Sequence, residues 1–521
     1  MNRRNFVRLG ALALSPILVK SLVDWSSTTA KQNTFDIEIL SDAGVGHLLW
    51  QSQDYEQGTD LTTDYLIVGG GIAGLSAAYE LRHQDFLLCE LSETLGGSSA
   101  SNNHKDQHFA QGAHYDLAYP KYYGKELLKT LFDLDIIDFD YASDMWQFVD
   151  KQFLIPHDKE SRTYVQSTNN KRAEVLPNGD TKDKFEALLR PFVGKMPMPT
   201  NNIAPALHYL NELTFADYLQ EHLPEDAAFL QAIDYAMLDD WGGTAQQVSA
   251  LAGIHYYTCR PYFDKQPELF SPPEGNAYFA QKFISKVPQE RLHTQHLVRQ
   301  IEPLATGGFR VEVVQADTKK QLVIHTKNII YAAHKHALKY IYPAAYPQFS
   351  GVQYAPWIAI NIVLDSTTTA AVFWQNEYLA AEQNFMGFVD SASQFKTLSD
   401  TRRTLTAYYC LSPKDRNNLL EIDKNAPALV EQTIQYVEKV LGEPIRKSIE
   451  KVYVKVMGHA MPIPIPNYLL QDYNQDAMTS RIAYAGVDTG RLPLFFEAAD
   501  SGLQAARLLL QESSTNTPEV G

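Results

Sequence analysis

Cysteine is scarce. The 521 residues hold three, Cys89, Cys259 and Cys410, scattered and in no metal-binding spacing, so neither a disulfide framework nor a cysteine-ligated metal has a basis. An excess of positive charge is absent too. The 45 Lys and Arg stand against 61 Asp and Glu, for a formal net charge of −16. That argues against nucleic acid or an anionic membrane surface as the main partner, while leaving room for a local basic patch. Beyond the first 30 residues no window of about 18 apolar residues occurs, so no membrane span is expected there. Repeats and low-complexity tracts are missing, which excludes solenoids and arrays. No arrangement of a nucleophile with His and an acid marks a catalytic triad. What remains is an ordinary globular composition, 45% hydrophobic and 20% charged. The chain is too long for one simple core, and two interleaved domains are expected.

The most informative stretch is DYLIVGGGIAGLSAAYELRHQDFLLCE, residues 64–90. Tyr65 to Val68 read as a buried strand, and an Ala-rich helix follows to about His83. Phe86 to Cys89 read as a second strand that stops at Glu90. Between the first strand and the helix, Gly69, Gly71 and Gly74 fall in G-x-G-x-x-G spacing. Gly69 permits a tight turn, Gly71 lets the backbone approach a pyrophosphate, and Gly74 lets helix and strand pack closely. Ile72 and Ala73 open the helix, whose unpaired N–H groups and partial positive charge suit phosphate. Glu90 lies roughly 20 residues past Gly69, where a carboxylate accepts bonds from ribose hydroxyls. A lone glycine motif is weak, but strand, glycines, helix, strand and acid in this order predict a dinucleotide site. Cys89, inside the second strand, reads as core.

Three further blocks identify the kind of site. LSETLGGSSAS carries Gly96-Gly97-Ser98, FAQGAHYDLAYP carries Gly112-Ala113-His114-Tyr115, and IAYAGVDTGRLPLFFEAADSGLQAARLLL closes the chain at 482–510. With these the sequence resembles the flavin-dependent amine oxidase superfamily, which includes polyamine oxidases and phytoene-desaturase-like enzymes. The resemblance implies an α/β fold: a doubly wound, Rossmann-like FAD-binding domain with an inserted α+β substrate domain. It implies FAD as cofactor. Gly97 and Ser98 lie in the second glycine loop, Gly112, Ala113 and His114 lie beneath the flavin, and Val298 makes a backbone contact to adenine. Gly486 and Asp488 form the last cofactor block, and an NAD-dependent dehydrogenase would have no place for it.

The sequence departs from that family in three places. Many members carry a lysine on the strand that matches YAPWIAINIVLD; here the position falls near Ala359. The aromatic expected in the final block is replaced by Leu494 or lies at Phe495. No cysteine stands between Met457 and Tyr468, so FAD is expected to bind non-covalently. His459 at a strand end is the candidate catalytic proton handler, weighed against an ordinary structural donor. The aromatics Trp241, Tyr256, Tyr257, Tyr262 and Phe263 read as interdomain core or as a substrate wall. Asp239 and Asp240 read as a helix-end cap or as the seat of a cationic amine.

The organisation follows. Residues 1–30 form a targeting segment, with Arg3-Arg4-Asn5-Phe6-Val7-Arg8 similar to the twin-arginine consensus and a short apolar run after it. Export to the periplasm by the twin-arginine translocation machinery is expected, and an uncleaved anchor is the alternative. Residues 31–60 are a lead-in. The FAD-binding domain takes 61–139, 290–335 and 476–513, and the substrate domain takes 140–289 and 336–475. Helices are expected at 121–137, 227–238, 249–257 and 426–441, with strands at 354–365 and 404–411. The expected activity is hydride transfer to FAD from an amine-like or other small organic substrate, with oxygen as a candidate electron acceptor. A desaturase- or isomerase-like flavoprotein and a catalytically silent, FAD-stabilised binding protein are the alternatives.

Overall fold

The computed structural model describes residues 35–50, 54–105, 107–114, 123–259, 268–365, 373–380, 384–394 and 403–515. Arg3-Arg4, Tyr115, Tyr262 and Phe263 lie outside them. The described chain forms a mixed α/β structure around two large sheets.

In the first sheet, Leu61–Val68 sits between Phe86–Cys89 and Lys320–Tyr331, parallel to both. Leu292–His293 extends it beyond Phe86–Cys89, and Ile482–Tyr484 lies parallel along the far end of Lys320–Tyr331. Phe309–Gln315 and His296–Pro303 add an antiparallel hairpin that turns at Gly307-Gly308. Tyr65 to Val68 are all buried, as a strand covered on both faces requires. Ile72–Glu80 covers one face, and Phe495–Thr515 crosses it there. The crossing is close because Gly502 lacks a side chain: a Cβ there would collide with the Ala73 carbonyl and the Ser76 hydroxyl.

The second sheet runs in the order Asp36–Leu40, Ile449–Pro462, Tyr354–Leu364, Arg403–Cys410, Phe385–Asp390, Gln375–Leu379, Ser161–Val165 and Asn170–Arg172. Within the expected lead-in, Asp36–Leu40 therefore runs as an edge strand parallel to Ile449–Pro462. Tyr354–Leu364 is buried at every position. Its Ile358, Ile360 and Ile362 pack with Leu429, Ile434, Val437 and Val440 of the helix Ile422–Leu441, each such burial being worth roughly 1.5–3 kcal/mol. Alternation then turns Trp357 and Ala359 to the opposite face, where Trp357 joins the core that also holds Leu75 and Ala78.

That strand contains Pro356, which has no N–H to give its neighbour. The ladder with Ile449–Pro462 slips there. Ala355 pairs with Met461 and Trp357 with Met457, so Gly458, His459 and Ala460 bulge opposite one residue. The bulge projects His459 out of the sheet.

The expected helices appear as Lys125–Asp133, Ala227–Trp241, Ala250–Cys259 and Ile422–Leu441. Ala227–Trp241 starts on the Asp226 carboxylate, which accepts from the Phe229 N–H at 3.0 Å, and ends at Gly242 with φ +69°. No helix among the described residues is long and apolar enough to cross a membrane.

Candidate active site

A cavity of about 1850 Å³ lies between the two sheets. Drug-sized ligands occupy roughly 300–1,000 Å³, so this one has room for a dinucleotide and a small molecule together. Gly69, Gly71, Ile72, Ala73, Glu90, Gly97, Ser98, Gly112, Ala113, His114, Val298, His459, Gly486 and Asp488 all line it. Gly74 lies beneath its wall.

The glycine end is built from backbone. Gly69 turns with φ +104°, and a Cβ there would come within 2.7 Å of the Ala333 nitrogen. A Cβ on Gly74 would collide with the Gly69 carbonyl, so the helix Ile72–Glu80 can press against its strand only with glycine there. Gly71 differs: the nearest atom to a Cβ at that position is the Gly96 oxygen at 4.0 Å. The space is therefore kept for something outside the protein. Gly96 donates its N–H to the Gly70 carbonyl at 2.8 Å, which lays the second glycine loop along the first. Gly97 then sits so close that a Cβ would lie 3.3 Å from the Gly71 Cα. The helix Ile72–Glu80 has no side-chain cap, so its first N–H groups face the cavity unclaimed. Glu90 is 7% exposed, and its two carboxylate oxygens accept from the Gly70 and Ser92 N–H groups. Burial raises its pKa against those hydrogen bonds. An open cradle, an uncapped helix start and an acid beside them fit a dinucleotide's pyrophosphate and ribose.

Asp488 belongs to a buried cluster. Its Oδ1 accepts from Lys335 Nζ at 2.8 Å, and its Oδ2 from the Lys335 backbone N–H and the Tyr354 hydroxyl, both at 2.8 Å. Lys335 is fully buried and also donates to the carbonyls of Ala333 and Ala485. These bonds tie the end of Lys320–Tyr331 to the end of Ile482–Tyr484. Burial raises the Asp488 carboxyl, but Lys335 beside it holds it below the usual carboxylate range. Lys335 itself is pulled down by burial against the pull of Asp488. Asp488 thus meets protein donors directly and shapes the Gly486 turn.

The other end is built from side chains. Asp239, Asp240, Tyr256, Trp357, Tyr408, Met457, Leu494 and Phe495 line it. Asp239 and Asp240 stand near the helix end, but Gly242 closes that helix. A carboxylate cannot cap carbonyls, and the helix dipole disfavours it there. The cap reading of these acids is therefore replaced by a place in the cavity wall. Gln375 Nε2 donates to Asp239 at 3.1 Å. Burial raises both carboxyls, and Asp239 raises Asp240 further. No described Lys or Arg forms an ion pair with either. Glu377 nearby is also pushed up by burial, to about 8. His114 hydrogen-bonds the Tyr408 hydroxyl through Nδ1, and burial lowers it to about 3, so it stays neutral. Trp241 is core; Tyr256 and Tyr257 reach the cavity. Phe495 turns onto Phe279, with ring centroids 4.6 Å apart.

Ala359 is fully buried and pairs in register with Lys455 on the neighbouring strand. Lys455 lines the cavity and holds Asp42 at 3.0 Å. Sequence reasoning passed over Lys455, Lys335, Tyr354, Trp357 and Tyr408. Only the pairing of distant strands brings them here. No group of three or more His, Cys, Asp or Glu among the described residues is placed to hold a metal.

A model of the NAD(P)-binding Rossmann-like domain family matches residues 67–131. No curated protein matches the chain in sequence. Solved structures do match in fold. Wild-type putrescine oxidase bound to putrescine aligns over 87% of this chain and 100% of its own, at 14% identity and a TM-score of 0.58. Cyclohexylamine oxidase from Brevibacterium oxydans aligns over 87% and 99%, at 14% identity and a TM-score of 0.58. An oxidoreductase from Methanosarcina mazei aligns over 85% and 99%, at 10% identity and a TM-score of 0.58. The chain therefore has the fold of these proteins, two of them amine oxidases, over most of its length.

Proposed function

We propose that the protein is an FAD-dependent oxidoreductase that takes a hydride from an amine-like small molecule. The observation that carries this is one cavity with two chemically different ends. A glycine cradle with Glu90 opens on one side, and on the other Asp239 and Asp240, which no described Lys or Arg pairs with, stand among aromatics. Gly71, Gly97, the start of Ile72–Glu80 and Glu90 would hold the dinucleotide. When bound, FAD supplies the hydride-accepting ring. The chain's own residues bind, orient and exclude water. A buried carboxylate pair with raised pKa values is short of positive charge, so an ammonium group entering beside it is held and oriented. Trp357, Tyr408 and Tyr256 supply the apolar walls that shut out solvent. His114, neutral and fixed by the Tyr408 hydroxyl at Nδ1, would contact the cofactor.

The resemblance of the last block and of the 112–114 segment favours FAD, and the lack of cysteine between Met457 and Tyr468 favours non-covalent attachment. Oxygen is the acceptor this reading favours. Purified protein is expected to be yellow, and anaerobic mixing with amines, amino acids and polyenes should bleach the flavin with an amine. Bleaching by a polyene alone would move the protein to desaturase-like chemistry. A second reading keeps the cofactor and drops turnover. It is favoured by Ala359, fully buried where many relatives carry lysine, and it predicts a yellow protein that nothing in the panel bleaches.

The Arg3-Arg4 pair supports export by the twin-arginine machinery. Lysine keeps the charge but not the guanidinium geometry. Changing both to lysine should leave folded, flavin-loaded protein in the cytoplasm on cell fractionation, and unchanged export would defeat the reading.

A further inference from the structure

A third group of cavity residues belongs to neither end. Arg416, Lys339, His334, His336 and His459 line the cavity together, in a chain whose net charge is −16. The Arg416 guanidinium is fixed by two backbone acceptors, Gly458 O through Nε and Tyr354 O through Nη2, each at 2.7 Å. Neither Arg416 nor Lys339 forms an ion pair with a described carboxylate. Asp488, the nearest acid in this cluster, is already held by Lys335 and Tyr354. His336 and His459 stack face to face with centroids 3.6 Å apart and planes at 11°, and the edge of Tyr354 packs against both. His334 stands 5.6 Å from His336. The Pro356 bulge brings His459 into this stack.

We propose that Arg416, Lys339 and the stacked His336–His459 pair form an anion-binding subsite. It takes the carboxylate or phosphate of a small molecule other than the dinucleotide. The arrangement concentrates positive charge and N–H donors on a partly exposed wall where, among the described residues, no carboxylate pairs with Arg416 or Lys339. A guanidinium locked by two carbonyls gives up no rotamer freedom when it receives an oxyanion, and phosphate and carboxylate are the groups whose geometry matches it. Burial and the neighbouring positive groups depress both histidines, so an arriving anion is stabilised by their N–H dipoles and draws them toward protonation. The glycine cradle and this group share no residue. The inference stands whether or not the cofactor is a flavin.

The test uses the full-length protein as purified, with inorganic phosphate as probe. Titration calorimetry is run against sodium chloride at matched ionic strength, with flavin absorbance and far-ultraviolet circular dichroism recorded on the same samples. Saturable phosphate binding is expected, weakened at least about tenfold in Arg416→Gln and measurably in the exposed-site variant Lys339→Gln, with cofactor content unchanged. Arg416→Lys keeps the charge but loses the fork, and should bind between Arg416→Gln and the parent. Absence of saturable binding, or binding that ignores both substitutions, would overturn the proposal. Phosphate that displaces bound cofactor would also overturn it, by giving the patch to the dinucleotide. Colourless protein that still binds phosphate through Arg416 keeps this inference and removes the flavin reading instead.

Discussion

The two ends of the cavity are made of different material. Around Gly71 and Gly97 backbone faces backbone, and every contributing residue lies within 69–97 apart from the strand that backs them. Around Asp239 and Asp240 the wall is side chain, contributed by a helix end, Gln375 and residues from strands more than a hundred positions away. A backbone cradle offers shape and N–H groups that hardly depend on which side chains surround it. A side-chain wall offers charge, and its chemistry changes with a single substitution. The first kind of site tolerates drift in the rest of the chain and recognises a constant group. The second sets what the protein acts on.

The sharpest break in that comparison is Gly71→Val. Nothing but the Gly96 oxygen lies near a Cβ there, at 4.0 Å, so the protein should fold while its cradle is filled. Complete loss of FAD is expected, with a melting temperature equal to that of the cofactor-free parent. Gly74→Val should lower the stability of the cofactor-free protein as well, because its side chain meets the Gly69 carbonyl and the helix must move. A Gly71→Val protein that retains flavin would place the pyrophosphate elsewhere.

Next in size is Lys335→Met. Removing one partner of a buried ion pair leaves the other charge unpaired, at roughly 3–5 kcal/mol. Denaturant unfolding should show that loss, and adding Asp488→Asn should restore most of it. Without recovery in the double variant, the pair would not be the source of the effect. Because Asp488 is held below its ordinary carboxylate pKa, its share of stability is present above that ordinary value and declines as pH falls through the lowered one.

How much of this was legible follows from distance along the chain. The dinucleotide end could be read from 64–90 because strand, glycines, helix and acid succeed one another, and each has a local reason. The fold class was legible through the resemblance that the glycine blocks carry, and the strands at 354–365 and 404–411 from their apolar runs. Lys335 was not. In AAHKHALKY a lysine looks like a solvated strand end, and only Asp488, far along the chain, closes a pocket over it. His459 was noticed as a residue, but its stack with His336 depends on the bulge opposite Pro356 of the neighbouring strand, about a hundred positions earlier in the chain. The acids at 239 and 240 were ambiguous for a similar reason. The helix hid its end behind Gly242, and the cavity that claims the acids is assembled from the second sheet.

A smaller effect is expected from Glu90→Ala. One hydrogen bond to a charged acceptor is worth roughly 1.5–3 kcal/mol, so FAD should bind about ten- to a hundredfold more weakly, by fluorescence titration. The loss adds to the backbone cradle's contribution and does not replace it, so protein at high FAD concentration should still turn yellow. Unchanged affinity would mean that Gly70 and Ser92 claim the whole carboxylate and the ribose is held by other groups.

The mildest perturbation is pH, and it acts on the side-chain end alone. Burial raises the carboxyls of Asp239 and Asp240, and Asp239 raises Asp240 further. A raised acid is protonated at pH values where a free carboxyl, near 4, is already ionised. In the ordinary carboxylate range the pair is thus neutral and offers an ammonium group little. As pH rises toward neutrality the pair gives up its first proton and the cation is held, until the amine begins to lose its own proton. KM for an amine should therefore fall as pH climbs from about 5 toward 8, with kcat changing less. Asp239→Asn and Asp240→Asn, measured singly, should each raise KM by about tenfold and flatten the rise of affinity with pH. Neither should alter flavin content, since the glycine cradle shares no residue with this wall. A pH profile of KM identical in both variants and the parent would detach these acids from substrate binding. The cavity would then keep its dinucleotide end and lose the reading of the other.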